Sequence, residues 1–231
     1  MKVAADFVGK EKYSVEDLVD ILKVLRSPEG CPWDREQDHK SIRRDFLEEC
    51  YEAIEAIDTA DPVLLREELG DVLLQLVFHS TIEEEAGRFD FYDVVSDVAE
   101  KMVVRHPHVF ADVKADTSEE VLTNWDQIKR ETKKQKSDRE VLRSISPAMP
   151  ALMRAQKVRK KAAKMGAEAL SVDEVKARIA ENVRNAEEEN GFETLGRALF
   201  DMTELARHLG VDAEQALYEV CRAYIEDFEA K

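Results

Sequence analysis

The sequence predicts an all-α protein, and a faint internal repeat, given below, sets its helical bundle in two tandem halves. Three observations carry the all-α prediction. Apolar residues recur three and four apart along nearly the whole chain, residues that cap helix N-termini stand before those runs, and no alternating apolar–polar stretch reaches useful strand length.

The elements follow in order. Ser14 with Asp17 forms a capping box that opens "VEDLVDILKVLR". "SPEGCPWD" is rich in Pro and Gly and reads as a loop. A helix is expected from about Ser41 to Asp58, and "TADP" breaks it. Asp61–Pro62 then supplies an N-cap and a first-turn proline for a helix to about Glu85, with Gly87 suited to its C-terminal cap. Asp90 starts "FYDVVSDVAEKMVVR", which ends at the proline of "HPHVF", and Thr117 with Glu120 caps "VLTNWDQIKRETKKQ". Residues 137–150, "SDREVLRSISPAMP", carry few periodic apolar positions and two prolines, so they read as a linker. The organisation expected is therefore a first domain over 1–136, a linker over 137–150 and a second domain over 151–231. In the latter, helices are opened by Ser171 with Glu174, by the Gly191 turn and by Asp212.

The 231 residues are 44% hydrophobic, enough for a packed core, and 36% charged, with a formal net charge of -16. Such acidity disfavours nonspecific binding to nucleic acid or to anionic lipid. No apolar run approaches the ~18 residues that a membrane span needs. Cys31, Cys50 and Cys221 are odd in number and form no C-x-x-C pair, and "MKVAADFVGK" carries no secretory signal. The expectation is reduced thiols in a cytoplasmic protein.

Chemistry concentrates in "FLEECYEAIEAID" and "LREELGDVLLQLVF". Glu49 and Glu52 stand one helical turn apart, as do Glu68 and Asp71, so each pair shares a face. The second helix is apolar nearly all round beyond its acids, which predicts burial. A four-residue break lets the two helices pair antiparallel, with both acid pairs facing one cavity. Four carboxylates held together repel, and divalent cations resolve the conflict; Mg²⁺ takes carboxylate oxygens and keeps waters for a phosphate-bearing substrate. A solvated acidic face gives the same spacing, and a di-iron carboxylate bundle is a rival. The latter wants E-x-x-H twice on core helices, whereas the one match is Glu36…His39 beside the "CPWD" loop.

The pattern E-E-x-x-E, spacer, E-x-x-D, present as Glu48-Glu49-Cys50-Tyr51-Glu52 and Glu68-Leu69-Gly70-Asp71, resembles the MazG nucleoside triphosphate pyrophosphohydrolases. "LRSPEGCPWDREQ", "EEAGRFDF", "RHPHVFAD", "NWDQIKR" and "PALMRAQK" resemble MazG segments in the same order, so the likeness covers roughly residues 14–210. It implies an all-α dimer that hydrolyses nucleoside triphosphates to monophosphate and pyrophosphate with Mg²⁺, for which Mn²⁺ can substitute. By the same resemblance Glu49, Glu52, Glu68 and Asp71 match the metal ligands, and Glu48 matches an acid that orients the attacking water. Lys101 and Arg105 match phosphate contacts, and Trp125 and Lys129 match a base-stacking and phosphate-binding pair. Without the resemblance, Trp125 is equally a core residue and Lys101 with Arg105 a solvated face. His106 and His108 order a loop or hold a metal. Relatives often carry a basic residue where Val104 stands here.

A faint repeat sets "ELGDVLLQLVFH" (68–79) against "TLGRALFDMTEL" (194–205), with Thr194 in place of Glu68 and Arg197 in place of Asp71. Arg184 stands where a further ligand belongs, so the second half reads as a degenerate, inactive copy. A rival reading of the chain is a non-catalytic regulatory or interaction module that keeps the scaffold. "MRAQKVRKKAAKMG" gathers six basic residues on one short helix within an acidic chain, fit for nucleic acid, an acidic partner or simply a solvated face.

Overall fold

The computed structural model describes residues 3–132, 137–167, 170–187 and 190–229. Every long element among them is an α-helix, and the chain divides into two compact units, Met1–Ala115 and Asp116–Lys231. No helix among the described residues is long and apolar enough to cross a membrane.

The first unit holds α1 (Val15–Leu25), α2 (Pro32–Glu36), α3 (Arg43–Asp58), α4 (Pro62–Glu85), α5 (Phe91–Arg105) and the single turn α6 (Pro107–Phe110). The local signals act as read. Ser14 accepts from Asp17 N while Asp17 accepts from Ser14 N, and Asp61 accepts from Val63 N and Leu64 N at the start of α4. Asp90 and Asp93 form a further capping box on α5, and Gly87 takes φ +70° after α4, where a side chain would be strained. The core is Val19, Leu22, Ile42, Val77, Phe78 and Phe91. On α3 it is the small residues Ala53 and Ala56 that are buried, which lets the backbone of α3 approach α4 closely.

"SPEGCPWD" and "HPHVF", expected as loops, each contain a short helix, α2 and α6, opened by a proline at the first helical position. Arg26 anchors the first of these segments. Its guanidinium is 5% exposed, donates to both carboxylate oxygens of Glu85 on α4 at 2.8 Å, and donates to the carbonyls of Asp34 (2.5 Å) and Gln37 (3.1 Å). Gly30 is required here, since a Cβ would stand 2.2 Å from the carbonyl oxygen of Val24.

The second unit holds α7 (Ser118–Thr132), α8 (Asp138–Arg143), α9 (Ala151–Lys164), α10 (Val172–Asn185), α11 (Gly191–Leu209) and α12 (Ala213–Glu229). The segment expected as a linker, 137–150, instead contains α8. Ser137 caps it, and Val141 and Ile145, four apart, bury their side chains. The division of the chain accordingly falls at 115/116, so α7 belongs with the second unit rather than with the first domain of 1–136.

The aligned helices α4 and α11 share a burial pattern. Glu68 and Thr194, Gln75 and Asp201, Val77 and Thr203, and Phe78 and Glu204 are all buried, while Leu69 and Leu195 are both half-exposed. What differs is the charge treatment. Asp201, 1% exposed, is bound by Arg159 at 2.5 Å and by Arg178 at 3.2 Å. Buried Glu204 pairs with Arg207 at 2.6 Å, and that pairing holds its carboxyl below the usual range. Arginines from this same unit thus neutralise its buried acids.

Candidate active site

The α3–α4 hairpin brings two acidic stretches together because three residues, 59–61, suffice to reverse the chain. Glu49 on α3 and Glu68 and Asp71 on α4 each offer a carboxylate oxygen within 4.8 Å of the others. Glu68 is buried at 7% exposure, while Glu49 and Asp71 are half-buried. Burial pushes the Glu49 carboxyl up first, and the charges of Asp71, Glu52 and Glu68 add to it. Glu68 is raised in the same way, by burial and then by the charges of Glu52 and Asp71. Carboxylate oxygens this close are a donor set of hard oxygens suited to a divalent cation.

Two expected members stand outside the tight group. Glu52 is exposed and reaches the cluster through Glu68. Glu48 is exposed and accepts from Arg44 Nε at 2.9 Å, on a different face of α3. Lys101 is exposed and Arg105 half-buried, one turn apart near the end of α5 in the first unit. Trp125 and Lys129 are half-buried, one turn apart on α7 of the second unit. His106 Nδ1 donates to the carbonyl of Met102 at 2.6 Å, in keeping with loop ordering.

A neighbouring polar network was not legible beforehand. His39 Nδ1 lies 2.8 Å from His79 Nδ1, and the rings stack at 5.1 Å. His39 Nε2 meets Glu83 at 2.5 Å, and Arg88 also binds Glu83. The Arg88 hydrogen bond, then that of His39, holds the Glu83 carboxyl down to about 2. Burial, then the His39 charge, lowers the His79 imidazole. His79 and Glu83 stand one and two turns further along the α4 face that carries Gln75, which was the available local signal; His39 comes from 40 residues away.

Comparison with known proteins finds relatives along most of the chain. A model of the MazG nucleotide pyrophosphohydrolase domain matches residues 37–110, a span that contains all five acids of the motif. The chain is 41% identical over 219 residues to the nucleoside triphosphate pyrophosphohydrolase/pyrophosphatase MazG of Thermotoga maritima, covering 93% of this chain and 84% of the relative. It is 43% identical over 213 residues to the nucleoside triphosphate pyrophosphohydrolase of Escherichia coli K12, covering 88% and 81%. A Mycobacterium tuberculosis protein of the same name is 39% identical over 152 residues, 65% of this chain and 45% of the relative.

Proposed function

Because this chain belongs to the MazG nucleotide pyrophosphohydrolase family, we propose that the acid cluster of its α3–α4 hairpin is the hydrolytic centre of a nucleoside triphosphate pyrophosphohydrolase. Water adds to the α-phosphorus, the bond from that phosphorus to the bridging oxygen breaks, and nucleoside monophosphate and pyrophosphate leave. The observation that carries this reading is the convergence of Glu49, Glu68 and Asp71.

Those three residues, with Glu52 behind Glu68, would hold Mg²⁺ or, in its place, Mn²⁺. When bound, the ion neutralises phosphate oxygens and makes water a competent nucleophile at neutral pH. The rest is positioning and charge compensation by the chain. Lys101 and Arg105 project from one turn of α5 and hold the outer phosphates, so that negative charge on departing pyrophosphate meets fixed cations. Trp125 offers an indole face to the base, which tolerates many bases. Lys129, one turn on, contacts a phosphate. Glu48, solvent-facing and paired at the surface with Arg44, accepts the proton from the attacking water once that pair opens. The second unit is non-hydrolytic: Thr194 and Arg197 replace two ligands, and Asp201 and Glu204 are already neutralised by arginines.

The active species is a homodimer in this reading. Leu47, Tyr51, Ile54 and Ile57 form an exposed stripe along α3, at 47–60% exposure, and such a face is covered by a partner. Free thiols at Cys31, Cys50 and Cys221 fit a cytoplasmic setting. Hydrolysis in ¹⁸O-labelled water tests the reaction: the label is expected in the monophosphate. Label in free phosphate, with nucleoside diphosphate accumulating, refutes attack at the α-phosphorus.

A further inference from the structure

At aligned positions α4 and α11 each bury a polar side chain, Gln75 at 8% exposure and Asp201 at 1%. Asp201 is saturated. Arg159 and Arg178 bind it, and Asn182 Nδ2 donates to its second oxygen at 3.4 Å. Gln75 is not: its amide oxygen is sealed from solvent and has no hydrogen-bond partner among the described residues. Burying a polar atom unpaired is costly, whereas the adjoining Leu73, Leu74 and Leu76 are the residues α4 uses where packing alone counts.

Two contacts bracket Gln75 within the α3–α4 hairpin. One turn before it on α4, Asp71 faces Glu49 of α3. One turn after it, the His79 ring packs on Phe46 of α3 with centroids 5.6 Å apart. Phe46 and Glu49 are themselves about one turn apart on α3. Gln75 therefore lies on the α3–α4 seam, beside the Asp71–Glu49 end of the acid cluster and deeper than either acid. The last torsion of a glutamine is broad and two-fold, so the amide can turn its oxygen to the cluster while the stem stays packed. A carboxylate at this place would add to the repulsion among Glu49, Glu68 and Asp71. The second unit carries an acid at the aligned position because arginines neutralise it. An amide supplies an acceptor without a charge.

We propose that Gln75 is a positioning residue of the hydrolytic centre, its amide oxygen accepting a hydrogen bond from a water on the divalent ion held by Glu49, Glu68 and Asp71. The proposal rests on the reading of that cluster as a metal centre. Acceptors behind the ligands of a metal orient what the metal holds, and losing one costs roughly ten- to a hundredfold in metal affinity. The unpaired oxygen of Gln75 thus gains its partner only when the acids are filled.

The test is Mn²⁺ binding to the full chain without nucleotide, read by electron paramagnetic resonance and by calorimetric titration, together with melting in chelator. Gln75→Met keeps the side-chain length and loses the acceptor. It is expected to bind Mn²⁺ roughly tenfold or more weakly. It is also expected to melt in chelator no lower than wild type, because the unpaired oxygen is gone. Gln75→Glu keeps an acceptor and adds a charge; it is expected to hold Mn²⁺ at least as tightly as wild type and to melt lower in chelator. Asp71→Asn separates the proposal from the reading beneath it. Unchanged Mn²⁺ binding in that variant refutes the metal centre, and the proposal with it. Loss of binding there, with wild-type affinity in Gln75→Met, refutes the role of Gln75 alone. That role is also refuted if Gln75→Met melts below wild type in chelator, which makes the amide a packing group, or if Gln75→Glu loses as much affinity as Gln75→Met.

Discussion

Glu49→Gln should stabilise the metal-free protein while removing its response to Mg²⁺. Oxygens of Glu49, Glu68 and Asp71 lie within 4.8 Å of one another. Two unit charges at that distance repel by about 1 kcal/mol in a water-like medium and by roughly 3.5 kcal/mol at an effective dielectric near 20. Glu49 is half-buried and solvent screens it, so the lower figure is the appropriate one. Gln keeps the shape and loses the charge, and relief of about 1 kcal/mol corresponds to a rise in Tm of ~2–4 °C in chelator. The gain should shrink at high salt, because it is Coulombic. With Mg²⁺ the order reverses. A wild-type site filled at a hundred times its Kd gains about 2.7 kcal/mol, and the variant gains little. Scanning calorimetry in chelator and in Mg²⁺, at low and high salt, reads all four values. A variant less stable than wild type in chelator, or one keeping the full Mg²⁺ shift, would mean that the acids are structural and not a metal centre.

Two further predictions rest on other residues. His79 has its imidazole lowered from an ordinary 6.5 by burial and by His39, so the unfolded chain binds a proton first and stability should fall as pH drops below about 6.5. Glu83, held down to about 2 from 4.5, keeps its contribution until pH falls below about 4.5 and then loses it; pH-dependent melting should therefore show two steps, and His79→Phe should remove the upper one alone. Light scattering should find a dimer, and Ile54→Asp, which sets a charge in the exposed stripe of α3, should yield monomers; an unchanged mass would exclude that stripe as the interface.

What the sequence determined by itself is local. Ser14 with Asp17, Asp61–Pro62, Asp90 and Ser171 with Glu174 each fix a helix start through contacts two or three residues long, so pattern alone reveals them. The acid pairs were legible for the same reason: i and i+3 share a face, and the order of motifs around them marked the family. Which acids meet was decided by tertiary structure. Pairing of α3 with α4 turns Glu49 onto Glu68 and Asp71, leaves Glu52 outside them and leaves Glu48 to Arg44, a choice made by helix rotation that no spacing encodes. The boundary at 115/116 was equally hidden, because Val141 and Ile145 look sparse in sequence and become core only once α9 packs on α8. His39 meets His79 across 40 residues, and the lysines of α9 become the wall of a cavity only when α7 and α8 close beside them. Contacts of that range depend on how rigid helices stack, and only the folded chain specifies the stacking.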